Sequence, residues 1–298
     1  MEERKGIILA GGIGSRLHPV TKTISKQLLP IYDKPMIYYP LSTLMLARIK
    51  NILIITNPND KDNFIKLLKD GSQLGIKIQY EIQKKPNGLA EAFIIGKKFI
   101  RQSNVVLILG DNLFHGNDLI KLLQKNYSIN NGASIFVYPV IDPERYGVVE
   151  LDTKGRVIGI EEKPFKPKSK LAITGIYFYD NTVIEKAQQL KPSKRGELEI
   201  SDLNEIYLKE GNLVVEKMGR GMTWLDAGTF DSLHEASSYV KSLEKRLGLK
   251  IGCPEEVAWR MNFIDDKQLY FLSKSSLNIN YASYLESIID ESEYLKKM

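Results

Sequence analysis

Residues 6–30 read GIILAGGIGSRLHPVTKTISKQLLP. The apolar run Ile7–Ala10 stops at Gly11-Gly12, Gly14 follows after one residue, and Arg16, Lys22 and Lys26 come next with no acid among them. A strand that ends in glycines offers bare backbone N–H groups, because no Cβ blocks the approach of a ligand. Cations just beyond neutralise what those amides receive, so the arrangement asks for a phosphate chain. Two familiar phosphate loops do not fit. The G-x-G-x-x-G fingerprint needs glycine at position 17, where Leu17 stands, and an acid closing the second strand, which ends in Thr56-Asn57. The G-x-x-x-x-G-K-[ST] loop has no match, so neither a nicotinamide enzyme nor a P-loop ATPase is supported.

Working outward, β-branched runs at 5–10, 51–56, 76–82, 104–109 and 133–140 alternate with segments whose apolar residues recur every three or four positions, at 36–49, 62–70, 89–100 and 117–127. That alternation predicts right-handed βαβ units around a largely parallel sheet flanked by helices, with ligands at the carboxyl ends of the strands. The glycine turn sits at such an end, and so does Gly110-Asp111-Asn112. From about residue 146 the pattern changes. YGVVELDTKGRVIGIEEKP predicts a hairpin about Asp152-Thr153-Lys154-Gly155, and AITGIYFYD a further strand. Helices are predicted at 181–190, at 199–210 and after Thr229, and the tail from Cys253 reads as short helices.

The totals exclude several classes. A chain of 298 residues can bury a sizeable core, and 43% hydrophobic with 26% charged residues is an ordinary globular composition. No apolar run approaches the ~18–20 residues of a membrane span, and MEERKG lacks the apolar core of a signal peptide. Cys253 is the only cysteine, so a disulfide framework is impossible, and a cytoplasmic enzyme without membrane contact is expected. The net charge of +6 suits an anionic substrate; no nucleic-acid signature accompanies it, and nucleic acid is not expected as a partner.

Individual acids have more than one reading. Asp111 follows a buried strand, where a carboxylate serves as a hard-cation ligand or as a turn residue. Asp226, in TWLDAGT, is a second acid; Thr229 and Asp231 lie closer to the helix that follows, and spacing alone does not bring Asp226 to Asp111. Alternation sends Glu161 and Glu162 to opposite faces, so that one is solvated while the other meets a ligand with Lys163, unless the pair simply marks an edge strand. Glu197, Glu199 and Ser201 read as helix-start chemistry, with Ser201 or Glu199 at the cap. His18, His115 and His234 have no metal spacing, and a G-x-S-x-G elbow is absent.

Taken together, the glycine stretch, GDNLFHG, DPERYGVVE, EEKP, RGELEISDLN and TWLDAGT resemble the sugar-nucleotide pyrophosphorylase family, in particular its bacterial thymidylyl-transferring members. The resemblance covers nearly the whole chain, including CPEEVAWR at 253–260. It implies a Rossmann-like nucleotidyltransferase fold with an inserted sugar-binding β region and a C-terminal helical tail. It also implies a catalytic domain at 1–250 (nucleotide part about 1–140, sugar part about 141–230) and an interface or regulatory segment at 251–298. The implied activity is transfer of dTMP from dTTP to glucose 1-phosphate with Mg²⁺, the first step of dTDP-L-rhamnose and related deoxysugar synthesis. By that resemblance Leu9, Gly11 and Gly12 hold nucleotide and phosphate, Gln83 and Gly88 the thymine edge, and Arg16 and Lys26 the departing pyrophosphate. Lys163 meets the sugar phosphate and α-phosphate; Asn112, Gly147, Glu162 and Ile173 contact the hexose; Trp224 shapes the wall; Asp111 and Asp226 hold the metal. A homotetramer with a regulatory dTDP-sugar at a subunit interface is implied in the same way. A UTP-using or other-hexose enzyme, and a non-catalytic nucleotide-sugar sensor, stand as alternatives, since thymine and uracil differ by one methyl worth only ~1–3 kcal/mol.

Overall fold

Near-continuous apolar strands belong in a sheet covered on both faces. In the computed structural model, which describes residues 3–297, β1 (Lys5–Ala10), β2 (Asn51–Thr56) and β4 (Val105–Leu109) form its centre. β3 (Lys77–Ile82), whose side chains alternate between buried and exposed, takes one edge. The four run parallel in the order β3-β2-β1-β4, with Ile7 opposite Leu53 on one side and Leu107 on the other. Alternation divides the core. Ile8, Ile52, Ile54 and Ile108 pack under α1 (Tyr38–Leu46) and α2 (Lys61–Leu68), whereas Ile7, Leu53, Ile55 and Leu107 pack under α3 (Glu91–Ile95). The helix predicted over 89–100 is interrupted at Gly96, after which α4 (Lys97–Ile100) resumes. A Cβ there would lie 2.9 Å from the Ala92 carbonyl and 3.1 Å from Ile7, so the glycine lets the break sit against β1.

Beyond β4 the sheet turns antiparallel. The short strand β5 (Asn112–His115) and α5 (Leu119–Tyr127) lead into β6 (Ala133–Pro139). The predicted hairpin forms as β7 (Gly147–Leu151) and β8 (Val157–Glu162), with Glu162 opposite Gly147. Strand β9 (Leu171–Tyr179) is antiparallel to β4 and β6, and its register with β6 shifts between Ile173 and Tyr177. Helices α6 (Val183–Gln189) and α7 (Ile200–Lys209) cover the second face, and β10 (Leu213–Lys217) adds a parallel edge to β6.

A separate two-stranded ribbon decides the site. β11 (Thr223–Asp226) pairs antiparallel with β5, setting Asp226 opposite Asn112, and the Ala227 amide donates to the Asp111 carbonyl at 3.0 Å. Thr229 then caps α8 (Phe230–Leu247) through a reciprocal bond pair with Ser232. The tail forms α9 (Pro254–Arg260), α10 (Asp266–Lys274) and α11 (Ile279–Lys297), the last a 19-residue helix where short ones were predicted. It docks on the first half: Ala258 joins the α1 core, and Gly252 faces the Tyr39 ring, where a Cβ would approach within 2.5 Å. No described helix is long and apolar enough to cross a membrane.

Candidate active site

The carboxyl ends of β1, β3 and β4 open into a cavity of about 670 Å³ that continues under the hairpin and the start of α7. Every residue singled out for the site lines it except Gly11. Gly11 lies behind, where a Cβ would come 2.5 Å from Gln83 Oε1, so its glycine makes room for the side chain that does reach the cavity. Gly12 has open space where a Cβ would be, and Gly14 has φ +69°, the left-handed region that favours glycine. No described backbone acceptor takes the N–H groups of Gly12, Ile13 or Gly14, which leaves a concave run of donors. Thr21 Oγ1 closes this loop on the Gly14 carbonyl at 2.8 Å.

At the loop's mouth stand two acids. Asp111 is 7% exposed and accepts from Lys26 Nζ and from Asn112 Nδ2 at 3.0 Å. Burial opposes its charge, but the Lys26 ammonium and the Asn112 amide outweigh burial and hold the carboxyl below the usual range. Asp226 is pushed up to about 6, first by burial and then by the charge of Asp111, against the pull of Lys26, Arg16 and Arg145. Two neighbouring carboxylates, one raised by burial and by the charge of the other and both beside the glycine loop, are a donor set that fits a divalent cation completing its shell with oxygens of a ligand and water. No group of three or more acids, histidines or cysteines among the described residues provides a closed metal cage.

Asn112, expected at the sugar, lines the cavity, is 2% exposed and bonds to three neighbours. Its Oδ1 accepts from Trp224 Nε1 at 2.5 Å and from the Gly175 amide at 3.1 Å, while its amide nitrogen holds Asp111. It therefore couples Asp111 to the Trp224 wall. Gly175 is required beneath it, since a Cβ would lie 2.4 Å from Asn112 Oδ1.

The far end is built around Glu162. Its carboxylate accepts from Ser201 Oγ and faces Lys163 Nζ at 3.7 Å and Arg195 Nη1 at 3.8 Å. Burial pushes its carboxyl up. Gly147 leaves space here: a Cβ would be 2.7 Å from Ser201 Oγ. Ile173 forms the apolar floor, 5% exposed. Glu199 occupies the N-cap position of α7 but makes no side-chain cap bond. It accepts from Ser193 Oγ at 2.8 Å and Arg195 at 3.3 Å, and Ser201 is spent on Glu162, so the predicted capping roles give way to site contacts.

Gln83 is 4% exposed; its amide nitrogen donates to the Gly88 carbonyl at 3.2 Å and to Glu91 at 2.8 Å, leaving the oxygen as acceptor. Gly88 has φ +110° and packs on the Leu198 backbone, 2.4 Å from where a Cβ would be. Arg145, Tyr146 and Arg195 also line the cavity and were not singled out. Their signal lay in DPERYG and RGELEISDL, where Arg145 follows Glu144 and Arg195 stands two residues before Glu197, acids that mask each charge.

The nucleotidyl transferase family profile matches residues 5–242. The chain is 54% identical to a glucose-1-phosphate thymidylyltransferase of Neisseria meningitidis over 94% of this chain and 98% of that one. A solved structure from Bacillus anthracis, described as a glucose-1-phosphate thymidylyltransferase in complex with sucrose, superposes with a TM-score of 0.74 at 42% identity, covering 79% and 94% of the two chains. A solved UDP-glucose pyrophosphorylase bound to UDP-glucose superposes with a TM-score of 0.71 at 26% identity, covering 81% and 100%.

Proposed function

The chain belongs to the nucleotidyl transferase family, and from that premise we propose that it transfers dTMP from dTTP to α-D-glucose 1-phosphate, giving dTDP-glucose and pyrophosphate. The observation that carries the reading is one cavity with a glycine turn and two acids at one end and Glu162, Lys163 and Arg195 at the other. Such a cavity accepts two polyanions side by side. A phosphate oxygen of the sugar phosphate forms a bond to the α-phosphorus, the bond from that phosphorus to the bridging oxygen breaks, and pyrophosphate leaves with the electron pair. The nucleophile is already an oxyanion, so the chain need supply no general base; its work is positioning and charge stabilisation.

Each group has a task in this reading. The free amides of Gly12–Gly14 receive nucleotide phosphate beside Leu9, and Gln83 with the Gly88 backbone holds the thymine edge. Lys163 and Arg195 hold the sugar phosphate; Gly147, Glu162 and Ile173 hold the hexose against the Trp224 wall. Arg16, which has no ion-pair partner among the described residues, is free for the leaving pyrophosphate, and substrate phosphate competes with Asp111 for Lys26. Asp111 and Asp226 would hold Mg²⁺, which when bound supplies Lewis-acid charge to the phosphates. We place the enzyme in the cytoplasm, and assign the segment 251–298, beyond the catalytic domain of 1–250, to subunit contact in a homotetramer and to a regulatory dTDP-sugar.

The test is pyrophosphate release from glucose 1-phosphate with dTTP, UTP, CTP, ATP and GTP offered separately, with Asp111→Asn as control. Release favouring dTTP and lost in the control supports the reading. Preference for UTP, the base carried by the ligand of the UDP-glucose pyrophosphorylase structure, would keep the reaction class and change the nucleotide. No release with any nucleotide would sink the proposal.

A further inference from the structure

Arg145 has no task in the scheme above. It ends the 3₁₀ turn Pro143–Arg145 just before β7 and lines the cavity. Its Nη1 donates to Asp142 at 2.6 Å, and its guanidinium lies 5.3 Å from the centroid of the Tyr146 ring, which itself meets Trp224 at 5.1 Å. The head group is thus held at a defined place on the wall. Of the remaining donors on this partly exposed side chain, those of Nη2 are shielded from water, and no described group accepts from them. A buried donor without an acceptor is costly, so the hydrogen bonding of Arg145 is incomplete in the ligand-free protein.

The cations of the cavity fall into two sets. Lys163 and Arg195 stand against Glu162. Lys26 is bound to Asp111, and Arg16 Nη2 lies 3.2 Å from where a Gly228 Cβ would be, two residues past Asp226. Arg145 belongs with the second set by position: its guanidinium lies over Tyr146, whose ring meets Trp224, and Trp224 stands two residues before Asp226 on β11, in the cavity that Arg16 and Lys26 also line. We propose that Arg145 is a further binding residue for the nucleotide's triphosphate, donating with Arg16 and Lys26 to the phosphate oxygens that depart as pyrophosphate; this rests on the function proposed above. A guanidinium with one nitrogen held by a carboxylate and its face on an aromatic ring presents its other N–H groups to an anionic phosphate in a set direction, which a lysine does not. Asp142 and Tyr146 are then positioning residues acting through Arg145.

The experiment uses the full chain and the variants Arg145→Ala and Arg145→Lys. Rates of pyrophosphate release are measured with dTTP and glucose 1-phosphate varied in turn, and binding of inorganic pyrophosphate is measured by calorimetry. For Arg145→Ala, kcat/KM for dTTP falls about ten- to a hundredfold and pyrophosphate binds at least about tenfold more weakly, while KM for glucose 1-phosphate stays within about threefold. Arg145→Lys recovers part of both losses. A folded Arg145→Ala with unchanged dTTP kinetics and pyrophosphate affinity overturns the assignment. A rise in KM for glucose 1-phosphate alone overturns it too, as does loss of thermal stability with both substrates affected equally. Should wild-type protein transfer nothing, the proposed function fails, yet weaker pyrophosphate binding by Arg145→Ala than by wild type still supports this residue's role.

Discussion

Asp226→Asn should stabilise the ligand-free protein while disabling transfer. The Asp226 carboxyl rises from 3.8 to about 6, through burial first and the neighbouring Asp111 second. About two units at ~1.36 kcal/mol each set a ceiling of about 3 kcal/mol. Water in the cavity screens part of this, so about 1–3 kcal/mol is expected. The sign follows from linkage: a raised carboxyl favours folding while protonated, so wild-type protein loses stability as pH rises from about 4 to about 6 and stays at that deficit above. Asparagine, close in shape to the protonated acid, does not titrate. Urea unfolding in the presence of a chelator should therefore find the two proteins within about 0.5 kcal/mol near pH 4 and the variant more stable by about 1–3 kcal/mol near pH 8. Added Mg²⁺ should raise the stability of wild type and not that of the variant. Transfer should fall at least about a hundredfold in the variant, the scale of several kcal/mol of lost charge stabilisation. A variant less stable than wild type near pH 8 would refute the reasoning, because it would mean that Lys26, Arg16 and Arg145 outweigh burial and Asp111.

Gly88→Ala should destabilise by about 2–3 kcal/mol and raise KM for dTTP, since φ +110° strains alanine and its Cβ would strike the Leu198 backbone; a normal melting curve would contradict this. Asn112→Ala should cost about 2–4 kcal/mol by orphaning Trp224 Nε1 and the Gly175 amide, and tryptophan fluorescence should report the loosened wall. Lys34, 2% exposed between Asp33 and Glu244 Oε1 at 2.7 Å, ties the short antiparallel pair Pro30–Ile31 and Lys34–Pro35 to α8; Lys34→Ala should cost about 3 kcal/mol by stranding buried carboxylate, measured by denaturant unfolding.

The sequence by itself determined the sheet, because strand patterning depends on local chemistry, while many of the cavity-lining residues were named through the resemblance to a family. Runs such as KGIILA and NILIIT satisfy a strand buried on both faces, glycines after β1 free the amides, and the turn at Asp152–Gly155 marks the hairpin, whereas it takes the register shift between Val157 and Gly159 to put Glu162 rather than Glu161 opposite Gly147. Only the tertiary structure decided which of those residues meet. The pairing of β5 with β11 joins segments more than a hundred positions apart, and nothing in either strand names the other; it buries Asp226 beside Asp111, so that burial first and the neighbouring charge second lift one carboxyl. The same holds for Asn112, Glu199 and Ser201. Their amide, carboxylate and hydroxyl suit turns, caps and ligands equally well, and their roles were settled by Trp224, Arg195 and Glu162 arriving from elsewhere in the chain. Arg145 escaped notice for the same reason, since a cation that follows an acid, here Glu144, reads as solvated until its surroundings bury Nη2 without a partner.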